Sequence, residues 1–121
     1  MNIYLGCPIW SFKGWVGNFY PKGTKPADFL REYARRLTTI EGNTTFYAIP
    51  APRKIESWIE HTPDTFRFCP KIPKAISHNG KLLDYADRAL YFMASLVPPE
   101  ADTCTIYFHG LYITFSFPAF I

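Results

Sequence analysis

Phe29, Leu30, Tyr33, Ala34 and Leu37 recur at spacings of one, three and four along PADFLREYARRL, residues 26–37, and Arg31, Glu32, Arg35 and Arg36 fill the positions between them. That period gathers the apolar side chains on one face of a helix, and Pro26 suits its first turn. Upstream, NIYLG at 2–6 is a short apolar run ending in glycine, as in a buried strand. Downstream, TTIEGNTTFY at 38–47 is β-branched and aromatic, but Gly42 and Asn43 interrupt it. A strand is therefore predicted through about Glu41, with a loop beyond. A second helix begins near Pro52, shows Ile55, Trp58 and Ile59 on one side, and must stop before Pro63. FRFCPK at 66–71 reads as the third strand. The longest helix runs from about Lys81 to Leu96, with Leu82, Leu83, Ala86, Leu90, Met93 and Val97 along its apolar stripe, and Pro98 and Pro99 end it.

Strands and helices thus alternate at the period of right-handed βαβ units, which build a parallel sheet. Two α/β architectures satisfy this order, an open doubly wound sheet and a (β/α) barrel. In both, the strand ends from which the chain departs for its helices form the binding face. Trp10 to Tyr20 follow strand one, Glu41 to Tyr47 follow strand two, and Lys71 to His78 follow strand three. Parallel neighbours lie about 4.8 Å apart, so these three groups are expected to converge on one rim.

Composition narrows this further. The 121 residues suit one domain, and 48% hydrophobic against 19% charged residues places the chain among globular rather than disordered proteins. A net charge of +3, spread without long basic runs, describes a weakly basic surface better than a nucleic-acid footprint. Cys7, Cys69 and Cys104 are odd in number and lack metal-ligand spacing, as reduced thiols of a cytoplasmic protein would be. Cys7 and Cys69 end strands one and three, too far apart for a disulfide with strand two between them. No signal-peptide pattern opens the chain, which agrees with a cytoplasmic location. The apolar tail 105–121, TIYFHGLYITFSFPAFI, is shorter than the roughly 20 residues a spanning helix needs and reads as strand, so no membrane partner is expected. Within it, YFHGLY at 107–112 has an alternative as a hairpin turning at His109 and Gly110.

The predicted rim carries the chemistry. Glu41 suits a general acid or base, with Lys71 pairing to it or meeting an anionic group; a plain ion pair between strands is the competing reading. Asn43 either orients a ligand or satisfies its own loop, and His78 either adds an imidazole to the site or caps the following helix. Trp10, Trp15 and Tyr20 either stack against a sugar or base or plug the end of the fold as core. GWVG has the wrong spacing for a dinucleotide or phosphate loop, no metal constellation is visible, and no cofactor is assigned.

Taken in order and spacing, LGCPIWSFKGWVGNFYP, KPADFLREYARRLTTIEGNTTFYAIP and SWIEHTPDTFRFCPKIPKAISH resemble the N-terminal part of the YecE-like family, domain of unknown function 72. The resemblance covers about residues 3–80. It implies a TIM-barrel fold over an open sheet and supplies no reaction. Family motif positions carry over to Gly6 and Trp10, Gly14 and Trp15, Tyr20 and Pro21, Glu41 and Asn43, Phe46 and Tyr47, Lys71, Pro73 and His78. Tyr47 thereby joins Trp10, Trp15, Tyr20 and Asn43 as a candidate ligand contact, beside Glu41, Lys71 and His78 as candidate catalytic groups. Where the family commonly has an apolar residue, this chain has Gly42, expected to loosen the turn.

Eight βα units demand about 250 residues. The chain is therefore expected to be a truncated half-barrel of about four parallel strands and three helices, with its βα units in 1–104 and an aromatic, β-rich tail in 105–121. Open sheet edges and bare apolar faces would then favour self-association. Three functional readings stay open: an enzyme-like domain binding a polar or anionic small molecule, a single-stranded nucleic-acid module using the aromatics with Lys13, Lys71 and Lys74, and an inactive fragment.

Overall fold

The structure is a computed structural model and describes residues 3–78, 86–96, 103–108 and 111–116. Strands β1 (Gly6–Cys7), β2 (Thr39–Gly42) and β3 (Arg67–Pro70) form one sheet in the order β1-β2-β3, with both pairings parallel. Cys7 lies opposite Ile40, and Glu41 lies opposite Cys69. The helices between them are α1 (Phe29–Ala34), entered through a 3-10 turn at Pro26–Asp28, and α2 (Pro52–Glu60). After β3 come the short α3 (Lys74–Ser77) and the longer α4 (Ala86–Leu96). Through β3 the predicted alternation of strand and helix is the observed one.

One boundary and one face differ from expectation. The first strand is not 2–6: pairing starts at Gly6, and Ile3 and Leu5 are exposed, although the Leu5 carbonyl already accepts from Thr38 and Thr39 N–H at 3.0 and 3.3 Å. The α4 stripe is rotated. Phe92 is fully buried against Ile76, flanked by Ala89, Met93 and Leu96, while Leu90 and Tyr91 are exposed. Leu82, Leu83 and Val97 lie outside the described residues.

The expected fourth parallel strand is corrected as well. β4 (Thr103–Phe108) pairs antiparallel with β5 (Leu111–Ser116) in a separate two-stranded sheet, from Thr103 opposite Ser116 to Phe108 opposite Leu111. Among the described residues the parallel sheet thus has three strands, and the hairpin alternative for 107–112 describes the pairing; His109 and Gly110 themselves lie outside the described residues. Pairing across a two-residue connection closes a far smaller loop than a crossover to a parallel neighbour, which favours the local partner.

The main core is Tyr20, Phe29, Tyr33, Ile40 and Phe66, lying between α1, the sheet and the loop after β1. Tyr33 is its keystone. Its hydroxyl accepts from Cys7 N–H at 2.6 Å and donates to the Thr39 carbonyl at 3.0 Å, so a helix side chain ties β1 to β2. Gly6 is required by the same close approach, since a Cβ there would lie 2.1 Å from the Thr39 carbonyl oxygen. Cys7 and Cys69 are free thiols with β2 between them.

Candidate functional site

The site begins with how β2 ends. Past Gly42 the chain tightens into a 3-10 turn over Asn43–Phe46, and the fully buried Thr45 hydroxyl explains why. It lies 2.7 Å from the Gly42 carbonyl, closing the local turn, and 2.7 Å from the Lys71 carbonyl, fastening that turn to the end of β3. Gly42 also accepts from Lys71 N–H at 3.4 Å. Its Cβ would meet Pro70 Cα at 3.3 Å, so the residue expected to loosen this turn instead lets two strand ends close on each other.

With the turn fixed, the polar side chains meet. Lys71 Nζ donates to Glu41 Oε1 at 3.1 Å and to Asn43 Oδ1 at 3.0 Å. Asn43 Nδ2 donates in turn to the Pro8 carbonyl at 3.2 Å, so one carboxamide ties together the segments that follow β1, β2 and β3. The pair is part-exposed, with side-chain exposures of 33% for Lys71 and 28% for Glu41, which leaves it within reach of a ligand.

Phe46 forms the floor beside this pair. Lys71 Nζ lies 5.8 Å from its ring centroid, within cation–π range. His78 and Tyr47 both approach the same ring edge to face, at 5.4 and 5.3 Å. Tyr47 is 83% exposed, and His78 Nδ1 lies 2.7 Å from Ser77 Oγ. Glu41, Asn43 and Lys71 are therefore directly joined, and His78 and Tyr47 flank them across Phe46.

The loop aromatics lie elsewhere. Tyr20 is 1% exposed, stacked on Phe29 at 5.0 Å with its hydroxyl donating to the Trp10 carbonyl at 2.6 Å. Of the two roles the sequence leaves open for Tyr20, platform or core, its burial here is that of a core residue. Burial pushes its hydroxyl pKa upward, and burial likewise pushes Tyr33 up to about 12. Trp15 is half-buried among Phe19, Tyr20 and Tyr33, and Trp10 packs edge-on to Trp58 at 5.6 Å. The loop after β1 is chiefly a lid on the core.

The sequence pattern does not mark Thr45, and it marks Phe46 only as a motif position. A Thr three residues past a glycine that ends a strand is the available signal, since its hydroxyl can close the turn on that carbonyl. An open groove of about 250 Å³ lies nearby, lined by Thr44, Ile49, Pro50, Ala51, Lys54 and Trp58, and neither Glu41 nor Lys71 borders it. Among the described residues, no three His, Cys, Asp or Glu side chains gather as metal ligands, and no helix is long and apolar enough to cross a membrane.

The family described as protein of unknown function DUF72 matches residues 4–118. The UPF0759 protein YecE of Escherichia coli (strain K12) is 41% identical over 96 residues, covering 79% of this chain and 33% of YecE. The UPF0759 protein YunF of Bacillus subtilis (strain 168) is 35% identical over 69 residues, 57% of this chain and 23% of YunF. The crystal structure of a DUF72 family protein from Enterococcus faecalis V583 superposes with a TM-score of 0.53 at 26% identity, over 77% of this chain and 32% of that chain. The matched stretch spans about a third of the length of YecE and of the Enterococcus chain.

Proposed function

Because the chain belongs to the DUF72 family, we propose that it supplies the first βα units of a (β/α)-barrel domain and binds a polar or anionic small molecule at the C-terminal ends of its strands. One observation carries this reading. Lys71 Nζ is held between Glu41 Oε1 and Asn43 Oδ1 where two parallel strands end, the position at which parallel α/β folds place their ligands.

In this reading Glu41 takes or gives the proton at the reacting group, Lys71 orients and polarises it, and Asn43 fixes the ammonium in place. His78, across Phe46, brings a second proton-carrying side chain to the same rim. The separated thiols of Cys7 and Cys69 support a cytoplasmic setting. The exposed Ile3 and Leu5 beside β1 support self-association of this chain.

The test is a ligand-detected NMR screen of small polar metabolites against the full chain and its Glu41→Gln and Lys71→Met variants. Compounds that bind the unaltered chain and lose affinity in both variants, with thermal midpoints nearly unchanged, are the expected result. Binders that ignore both substitutions would overturn the assignment.

A further inference from the structure

The Glu41–Lys71–Asn43 cluster carries a narrower statement about its ligand, one that rests on the reading of this rim as a binding site. We propose that the cluster recognises a neutral vicinal diol, as found in sugars and cyclic polyols, with Tyr47 and Phe46 supplying the apolar surface, and that it is not built for phosphate or carboxylate.

Charge is the first argument. The Lys71 ammonium sits 3.1 Å from Glu41 Oε1, so the pair is close to neutral as seen by an approaching ligand. An anion drawn to the ammonium meets the carboxylate beside it, and repulsion offsets the attraction. Lys71 is also not placed to swing away and follow an anion. Asn43 accepts from it while donating to the Pro8 carbonyl, and Phe46 lies against it.

Hydrogen-bonding complementarity is the second. An ammonium only donates and an ionised carboxylate only accepts. Side by side at one hydrogen-bond length, they match two adjacent hydroxyls, one donating to Glu41 and its neighbour accepting from Lys71. Phosphate offers mainly acceptors and leaves the carboxylate without a donor.

Surface chemistry is the third. Tyr47 is 83% exposed, and its ring meets Phe46 at 5.3 Å and 86°, with Phe46 in turn 5.8 Å from Lys71 Nζ. A polar pair with an exposed aromatic ring one side chain away suits a molecule that has hydroxyls along one edge and C–H groups on its face. The negative face of a π-system attracts such C–H groups and repels an anion.

The experiment titrates the isotope-labelled full chain separately with myo-inositol, methyl α-glucoside and inorganic phosphate, following the amides of Asn43, Phe46, Tyr47 and Lys71. Saturable shifts with both polyols are expected. Tyr47→Ala should weaken binding by roughly fivefold, while Tyr47→Phe retains it. Because Tyr47 is so exposed, its removal leaves the core intact. Glu41→Gln should also weaken binding, by loss of the charged acceptor.

Saturation by phosphate with no response to the polyols would overturn the diol assignment and leave the rim reading standing. No response to any of the three would count against both. Polyol binding unchanged in Tyr47→Ala and Glu41→Gln would place the diol site elsewhere and overturn the proposal.

Discussion

Tyr33→Phe removes one oxygen atom from the middle of the fold and leaves the ring in place. That oxygen now accepts from Cys7 N–H at 2.6 Å and donates to the Thr39 carbonyl at 3.0 Å, joining α1 to both β1 and β2. The ring contacts with Trp15 and Phe66 survive the change, so the loss is confined to polar groups. An orphaned, part-buried N–H costs about 1–3 kcal/mol, and the lost bond to Thr39 falls within that range. A loss of about 2 kcal/mol is expected, which lowers the melting temperature of a chain this size by roughly 8 °C.

Circular dichroism melts and urea titrations would read this loss, with an unchanged urea slope showing that the folded state stays compact. The alkaline limb gives a second readout. Burial holds Tyr33 at about 12 against an ordinary value of 10.0, so the folded chain keeps a proton that the unfolded chain releases between those values. The unfolded state then binds fewer protons, and stability falls as pH rises through that window, by about 1.4 kcal/mol per pH unit for each such tyrosine. Tyr20, raised by burial, adds to the same limb. Tyr33→Phe should therefore flatten the alkaline loss by one proton as well as lower stability at neutral pH. A variant that melts within about a degree of the unaltered chain and keeps the same alkaline slope would refute the bridging role.

Other outcomes follow from the same geometry. Gly6→Ala forces a methyl group toward the Thr39 carbonyl, at 2.1 Å before relaxation, and should cost about 1–3 kcal/mol in urea titrations as β1 moves off β2. Thr45→Val removes a fully buried hydroxyl that serves two carbonyls. It should cost about 2 kcal/mol and shift the Lys71 and Asn43 resonances, while Thr45→Ser keeps both. In a double-mutant cycle, Glu41→Gln and Lys71→Met should couple by about 0.5–1 kcal/mol, as part-exposed ion pairs do, and the coupling should shrink with added salt. Sedimentation of the full chain should show concentration-dependent self-association that Leu5→Lys reduces, because Leu5 is 67% exposed beside the open side of β1.

Much of the frame was legible because it depends on periodicity. The spacing in residues 26–37, the β-branched run at 38–41 and the aromatic-rich run at 66–71 mark α1, β2 and β3, and their alternation implies the parallel order that brings Glu41 and Lys71 together. What escaped was decided by neighbours distant in sequence. Tyr20 reads alike as core or platform until Phe29 and Tyr33 are seen packed around it. Leu90 and Phe92 are both apolar, and only Ile76 on another helix determines which faces inward. Gly42 looked like a point of slack because Pro70, which approaches it so closely, is 28 residues away in the chain. Thr45 is one polar residue in a polar turn, and its weight comes from a carbonyl at the end of another strand.

The central claim is that three strands running side by side bring Lys71 against Glu41, Asn43 and Phe46. Nuclear Overhauser contacts of the Lys71 ε-methylene test it most directly. They should reach the Phe46 ring protons and the Asn43 carboxamide, with the ε-methylene signals displaced by the ring current. Cross-strand contacts should link Cys7 to Ile40 and Glu41 to Cys69 in parallel register. Lys71 signals at solvent-exposed positions, or contacts pairing these strands in opposite directions, would contradict the account.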